Sequence, residues 1–266
     1  MMRTRFLAAF FAMALPVSVG LLSASCADKT SGTNEFRTDS ISYVKKDTLA
    51  ECNITVDAPV MGDGQLGNVL KEFISEELGG SYKGGYANMD SLLAWYGNEQ
   101  YDAMSKMAAE VPGTSALPYS YYADIRKVYE TDKLVTYTTV ISIFTGGAHP
   151  MTFTSGTTFR KSDGRRFGME IFNSKFTEKY TEIVYDGLKK YFDVKTDEEL
   201  KACLLNSVAS SYIPLPQNAP YFTKDGIMLV YGQYEIAPYA AGTPTVVIPY
   251  DRAKELLKVP ALDMVE

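Results

Sequence analysis

The chain holds a single histidine, His149, in the stretch Phe144-Thr145-Gly146-Gly147-Ala148-His149-Pro150. A lone histidine can be a general base, a metal ligand or the corner of a tight turn, and each role needs different company. Nucleophilic hydrolysis requires a nucleophile, a base and an orienting group. No Gly-x-Ser-x-Gly elbow is present, and Ser155 lies beyond the turn on a strand pattern. A zinc hydrolase normally recruits more than one histidine, and no Asp-x-Asp-x-Asp-Gly loop offers a calcium site. Paired carboxylates stay open as chemistry, because Asp and Glu together number 32 and sequence does not give their separations. The expectation is no catalytic residue, no metal and no cofactor.

The glycines of the same stretch have a conformational use. Gly146 and Gly147 let the backbone reach positive φ where a strand turns, and Pro150 restrains the exit. His149 then sits at a loop tip, either as a plain polar turn residue or presented for binding. Tyrosine is the other outlier, with 19 copies against one tryptophan. Tyr119, Tyr121, Tyr122, Tyr231, Tyr234 and Tyr239 cluster around strand patterns. Tyrosine favours half-buried sheet positions, and its amphipathic ring also suits binding faces.

These residues must be delivered and held by the rest of the chain. Arg3 and Arg5 precede an apolar run from Phe6 to Leu22, followed by Ser23-Ala24-Ser25-Cys26. This has the form of a secretory leader, and the small residues before Cys26 resemble the lipobox of a bacterial lipoprotein. Residues 1–25 are therefore expected to be a lipoprotein signal peptide, Cys26 the lipidated residue and residues 26–39 a polar tether. A lipid at Cys26 would attach the chain to the cell envelope, at the periplasmic face or cell surface, without spanning the bilayer. The net charge of −6 disfavours nucleic acid and favours basic partners by long-range steering. Cys52 and Cys203 remain, either as buried small hydrophobes or as a disulfide in an oxidising compartment.

Period and punctuation give the elements. Ile41–Val44 and Cys52–Val56 read as strands. Leu66, Val69, Leu70, Phe73, Ile74 and Leu78 define an amphipathic helix closed by Gly79-Gly80. A second helix with Asp90 as N-cap carries Leu93, Tyr96, Met104 and Met107, and Gly97 is a candidate interruption. Residues 119–126 and 135–143 form a hairpin, and Met151–Phe159 pairs with Phe167–Ile171 through Ser162-Asp163-Gly164. A strong helix follows over Phe176–Tyr191. A shorter one is capped by Thr196 or Asp197. Two strands, Ile227–Glu235 and Thr245–Tyr250, lead to a closing helix capped by Asp251. The segregation of strands and helices predicts an α+β fold: an antiparallel β-sheet with helices packed on one side, two-lobed. The domain is placed at residues 40–258, with a helical N-terminal part (40–115), a sheet-rich part (116–258) and a tail (259–266).

Thr145-Gly146-Gly147-Ala148-His149, taken with Gln233-Tyr234-Glu235-Ile236-Ala237-Pro238-Tyr239-Ala240-Ala241-Gly242, resembles a family of extracytoplasmic bacterial domains of unknown function. That family includes the ectodomain of the RsiV-type anti-sigma factor and the region before the catalytic domain of the PdaC-type polysaccharide deacetylase. The Phe159–Gly164 turn, Ile171-Phe172 and Val247-Ile248-Pro249-Tyr250 fit the same pattern, so the likeness covers about residues 40–258. The resemblance implies a binding and sensing module, in one case a receptor for lysozyme. Gly146, Gly147, His149, Tyr234, Glu235 and Tyr239 become the candidate contact residues. The implied ligand is a lysozyme-like basic protein or a peptidoglycan-type glycan. The alternatives are an envelope polysaccharide-modifying enzyme using His149 or Glu235, and an assembly scaffold with no small ligand. Asp39-Ser40-Ile41, Asp47-Thr48-Leu49 and Asp90-Ser91-Leu92 resemble the tripeptides O-glycosylated in Bacteroidetes.

Overall fold

The computed structural model describes residues 36–60, 64–111, 113 and 117–266. The leader, Cys26 and most of the tether lie outside the described residues. Eight strands in two sheets and seven α-helices make up the described chain, an α+β fold. The first sheet has the order β1 (Thr38–Lys46), β2 (Ala50–Pro59), β3 (Tyr119–Glu130), β4 (Leu134–Phe144), β5 (Met151–Arg160). Its pairs are antiparallel except β2 and β3, which run parallel. That corrects the expected all-antiparallel sheet. A parallel pair needs a long crossover, and α1 (Gly64–Glu77) and α2 (Met89–Glu110) lie between these two strands.

Alternation in β2 explains where the helices go. Ala50, Cys52, Ile54, Val56 and Ala58 are buried while the residues between them are half-exposed, which is the period-2 pattern of a sheet with one packed face. The α1 residues Leu66, Leu70, Phe73 and Ile74 close over that face, with Leu92, Leu93 and Tyr96 of α2 in the same core. Helix α2 starts at Asn88, whose side chain accepts the Ser91 N–H, so Asp90 lies in the first turn and is not the cap. Gly97 does not interrupt the helix. The Tyr43 ring packs so closely there that a Cβ would fall 2.2 Å from it.

A second core lies in the C-terminal half. Helix α3 (Ser174–Phe192) presents Phe176, Tyr180, Ile183, Val184 and Leu188 to a smaller antiparallel sheet of β6 (Tyr221–Thr223), β7 (Gly226–Val230) and β8 (Thr245–Ile248). Short helices α4 (Asp197–Cys203), α5 (Asn206–Ala209), α6 (Tyr250–Ala253) and α7 (Val259–Leu262) surround it. Thr196 caps α4 in a full capping box with Glu199, where two backbone donors are satisfied reciprocally. The two buried clusters are the two lobes, and the chain crosses between them within the sheet. Strand residues up to Tyr137, with Phe159, belong to the first cluster, while Leu134 and Phe167 to Ala261 form the second. The segment after 258 is not a loose tail. It forms α7, buries Ala261, and offers the Asp263 carbonyl to Lys133 Nζ.

Three further expectations change. Phe167–Ile171 is not a strand: an isolated bridge joins Phe159 to Arg166 just before it, and a short 3-10 turn follows over Met169–Ile171. The strand expected to run to Glu235 stops at Val230. The closing helix starts from Pro249, with Asp251 inside its first turn. No described helix is long and apolar enough to cross a membrane.

Candidate functional site

Strand β5 is the edge of the larger sheet, and an edge strand exposes backbone donors and acceptors that must be covered or answered. Its second half is covered. The Phe222 N–H donates to Thr158 Oγ1, the Phe167 N–H donates to the Thr158 carbonyl, and the Tyr221 ring lies against Gly156. Its first half is answered by side chains. Gln233 Oε1 accepts the Thr152 N–H at 2.8 Å, and Asn218 Nδ2 donates to the Thr154 carbonyl at 3.3 Å. These contacts bring the Gln233–Gly242 segment against the strand that follows the Gly-Gly-Ala-His turn.

The junction is finished by rings. His149 stacks on Tyr239 with centroids 3.5 Å apart and planes 15° from parallel. Tyr234 is tilted against Tyr239, with centroids 5.9 Å apart and planes at 38°. His149 Nδ1 lies 3.2 Å from the Pro150 carbonyl oxygen, a contact that holds the ring when Nδ1 carries the proton. Gly146 and Gly147 adopt φ of 88° and 91°, the positive values foreseen for the turn. At Gly146 a Cβ would also fall 2.9 Å from the Tyr119 hydroxyl oxygen. Both glycines therefore shape the turn, and neither presents a side chain.

Both carboxylate oxygens of Glu235 are engaged by the backbone. Its Oε1 accepts the Gln217 N–H at 2.8 Å and its Oε2 accepts the Gly232 N–H at 2.7 Å. Its own N–H donates back to the Gly232 carbonyl, closing a turn. Tyr234 sits in that turn at φ 62° with nearly half its surface exposed. The left-handed conformation costs an L-residue about 1–2 kcal/mol, so the surrounding hydrogen bonds must over-determine it. The turn rests on the second core through Tyr231. The Tyr231 hydroxyl lies 2.5 Å from that of Tyr180, and both contact the Pro214 carbonyl. Burial pushes the Tyr180 hydroxyl up to about 12, and that of Tyr231 is raised as well. These phenols are held neutral as structural donors.

Between β5 and this turn lies a cleft of about 350 Å³. Met151 to Ser155 form one wall, and Gln217, Asn218 and Gly232–Glu235 form the other. Phe153 is 57% exposed beside it. Of the sequence-predicted contact residues, Tyr234 and Glu235 line the cleft, His149 and Tyr239 stack on each other with Tyr239 beside Tyr234, and Gly146 and Gly147 shape the turn before His149. Sequence reasoning missed Gln233 as the tie to β5, and missed Gln217, Asn218 and Phe153. The amide pair flanked by Pro216 and Pro220 was the available signal.

Of the two readings for Cys52 and Cys203, the structure has the unbridged one. Cys52 is a free thiol buried under the helices of the first lobe, and Cys203 is a free, half-buried thiol in α4 of the second. Cys203 Sγ donates to the Glu199 carbonyl within its own helix. Burial raises the Cys52 thiol to about 12, so it is not a nucleophile at neutral pH. No group of three or more His, Cys, Asp or Glu arranged for a metal occurs among the described residues.

Fold and site together define a two-lobed α+β domain with a ring-stacked corner and cleft where the lobes meet. Two family models match the two parts: one described as deacetylase PdaC over residues 45–152, and one described as a protein of unknown function, DUF3298, over residues 170–251. The chain thus carries a PdaC-like domain followed by a DUF3298 domain. His149 falls in the first match and the Gln233–Gly242 segment in the second, so the corner joins them. A crystal structure of a DUF3298 family member from Bacteroides fragilis is similar, with TM-score 0.67 and 24% identity over 87% of this chain and 97% of that one. A DUF3298 family protein from Pseudomonas aeruginosa has TM-score 0.63 and 17% identity over 86% and 97%. At these identities the likeness is one of fold. No curated protein matches the chain.

Proposed function

We propose that this chain is a non-catalytic binding module of the cell envelope, held there by lipid on Cys26, and that its ligand is a basic protein of which lysozyme is the model. The observation that carries this reading is how the corner uses its ionisable groups. Both oxygens of Glu235 are taken by backbone N–H groups, and one face of His149 is taken by Tyr239. General acid–base work needs a group free to reach a substrate proton. What the corner offers outward is aromatic surface and backbone, the material of recognition. The net charge of −6 steers cationic partners toward the chain.

A second reading, an envelope glycan, is favoured by the lining of the cleft. Tyr234 beside the amides of Gln217, Asn218 and Gln233 offers a stacking face with planar hydrogen-bonding groups. Titration calorimetry of the purified protein against lysozyme and against a chitin oligosaccharide separates the two. Lysozyme should give a saturable signal that weakens with salt, and Tyr239→Ala should reduce affinity roughly tenfold or more, as loss of a ring at a contact does. Absence of heat with lysozyme at low salt, together with a saturable oligosaccharide signal, would replace the first reading by the second. Should Glu235→Ala or His149→Ala abolish a measured turnover without changing thermal stability, the chain would instead be a polysaccharide-modifying enzyme.

A further inference from the structure

The open half of β5 has a specific hydrogen-bonding vacancy. In antiparallel pairing the N–H and C=O of one residue point to the same side of the strand, and successive residues alternate. The Thr152 N–H goes to Gln233 and the Thr154 carbonyl is taken by Asn218. Both residues therefore point away from β4, as does Thr158, whose carbonyl is taken by Phe167. It follows that the Thr152 carbonyl and the Thr154 N–H also point outward from the sheet. No hydrogen bond reaches either among the described residues. Met151 to Ser155 form a wall of the 350 Å³ cleft, so these two groups sit on its β5 side.

The geometry points to a binding site for an extended peptide segment, pairing with β5 in the register that sets one of its residues opposite Phe153. In parallel pairing a single residue donates its N–H to the carbonyl before its neighbour and accepts from the N–H after it. Opposite Phe153 those two groups are the Thr152 carbonyl and the Thr154 N–H. An antiparallel segment would meet the same two groups from the residues flanking a non-hydrogen-bonded pair with Phe153, whereas a full hydrogen-bonded pair with Thr152 or Thr154 would need a group that Gln233 or Asn218 already holds. The occupied positions therefore select the register. Paired residues place their side chains on the same face, so the ligand residue packs along the exposed Phe153 ring. A lysine stem suits that place, with its ammonium in water and in the field of a chain of net charge −6. Main-chain hydrogen bonds then supply affinity, and the neighbouring rings supply specificity.

This inference deepens the basic-protein reading, naming the kind of segment the cleft would take, and can be tested apart from it. The probe is an end-blocked pentapeptide of alternating Lys and Val, titrated into isotope-labelled protein, with its fully N-methylated counterpart as control. The expected result is a saturable shift of the Thr154 amide resonance and roughly tenfold slower hydrogen exchange there. The Phe153 amide, already paired with β4, should show no such slowing. The methylated peptide should do neither. Thr154→Pro removes only an outward N–H at a sheet edge, where proline is tolerated, and should reduce peptide binding roughly tenfold, the worth of about 1.4 kcal/mol. The inference is overturned if the Thr154 amide ignores the peptide, if both peptides act alike, or if a chitin oligosaccharide protects Thr154 in the peptide's stead. Lysozyme binding with Thr154 unprotected would sink this inference and leave the basic-protein reading standing. Peptide pairing without lysozyme binding would do the reverse.

Discussion

Glu235 gives the sharpest test of whether the corner is architecture or chemistry. Replacing it with alanine removes the acceptor for the Gln217 N–H and for the Gly232 N–H together. A hydrogen bond to a charged group contributes about 1.5–3 kcal/mol when its partner is left without a substitute. Two such bonds at the lower end come to about 3 kcal/mol. Glu235 is half-buried, so water reaches part of the vacated site and a loss of about 2 kcal/mol is expected. At this chain length each kcal/mol moves the melting temperature about 2–4 °C, so Glu235→Ala should melt about 4–8 °C lower. Glu235→Gln keeps one acceptor oxygen but turns an amide donor toward the other N–H, and should fall between the two. Scanning calorimetry with near-ultraviolet circular dichroism reads both variants. A Glu235→Ala protein melting within about a degree of the parent would refute the account, because the carboxylate could then not be what holds Tyr234 in its left-handed turn.

Glu77, at the end of α1, is predicted to oppose folding at neutral pH. Burial raises its carboxyl pKa, so the folded state binds its proton more tightly than the unfolded chain does. The stability this contributes is present below the unfolded pKa and lost as pH rises through the folded one. Glu77→Gln should accordingly raise the urea midpoint near pH 7 and leave it little changed near pH 4; an equal effect at both would show that ionisation is not the cause. Gly97→Ala should destabilise by about 1–3 kcal/mol through overpacking against Tyr43, although Ala is worth up to about 1 kcal/mol over Gly in an open helix. Equilibrium denaturation decides the sign. With Cys26 replaced by Ser, both remaining thiols should react with a thiol reagent in denaturant, and Cys52 should stay silent in the folded protein. A protected pair in denaturant would show a disulfide.

Sequence made the strongly periodic elements legible and left their neighbours open. The α1 stripe from Leu66 to Leu78 and the α3 stripe from Phe176 to Leu188 follow from residue spacing, because each faces a single core. The parallel pairing of β2 with β3 does not, since strand order is decided by which face α1 and α2 cover after the chain leaves Pro59. The apolar residues Phe167 and Ile171 resemble a strand, yet both fill the second core from a turn. Hydrophobicity reports burial there and says nothing of backbone shape. The helix starts were misplaced by two residues at Asp90 and Asp251 because several polar residues can cap, and only geometry shows that Asn88 accepts the bond.

The corner shows why motif residues can be identified correctly while their roles are not. His149 and Tyr239 are 90 positions apart in the numbering, and nothing local ties them. They meet because Gln233 answers the open N–H of Thr152 and so sets the second lobe's segment against the first lobe's edge strand. A sheet edge must be covered or answered, and this edge is answered by side chains at Thr152 and Thr154 only in part. The histidine's stack on Tyr239, the carboxylate's two backbone bonds and the glycines' positive φ all hold the same junction in place. Their residue types look like chemistry because each is restrictive about its surroundings, and restriction here serves shape. What a ligand can meet is the remainder: the exposed faces of Tyr234 and Phe153, and one carbonyl and one N–H left without partners among the described residues. Function is therefore better sought in the groups the structure has not used than in the histidine it has.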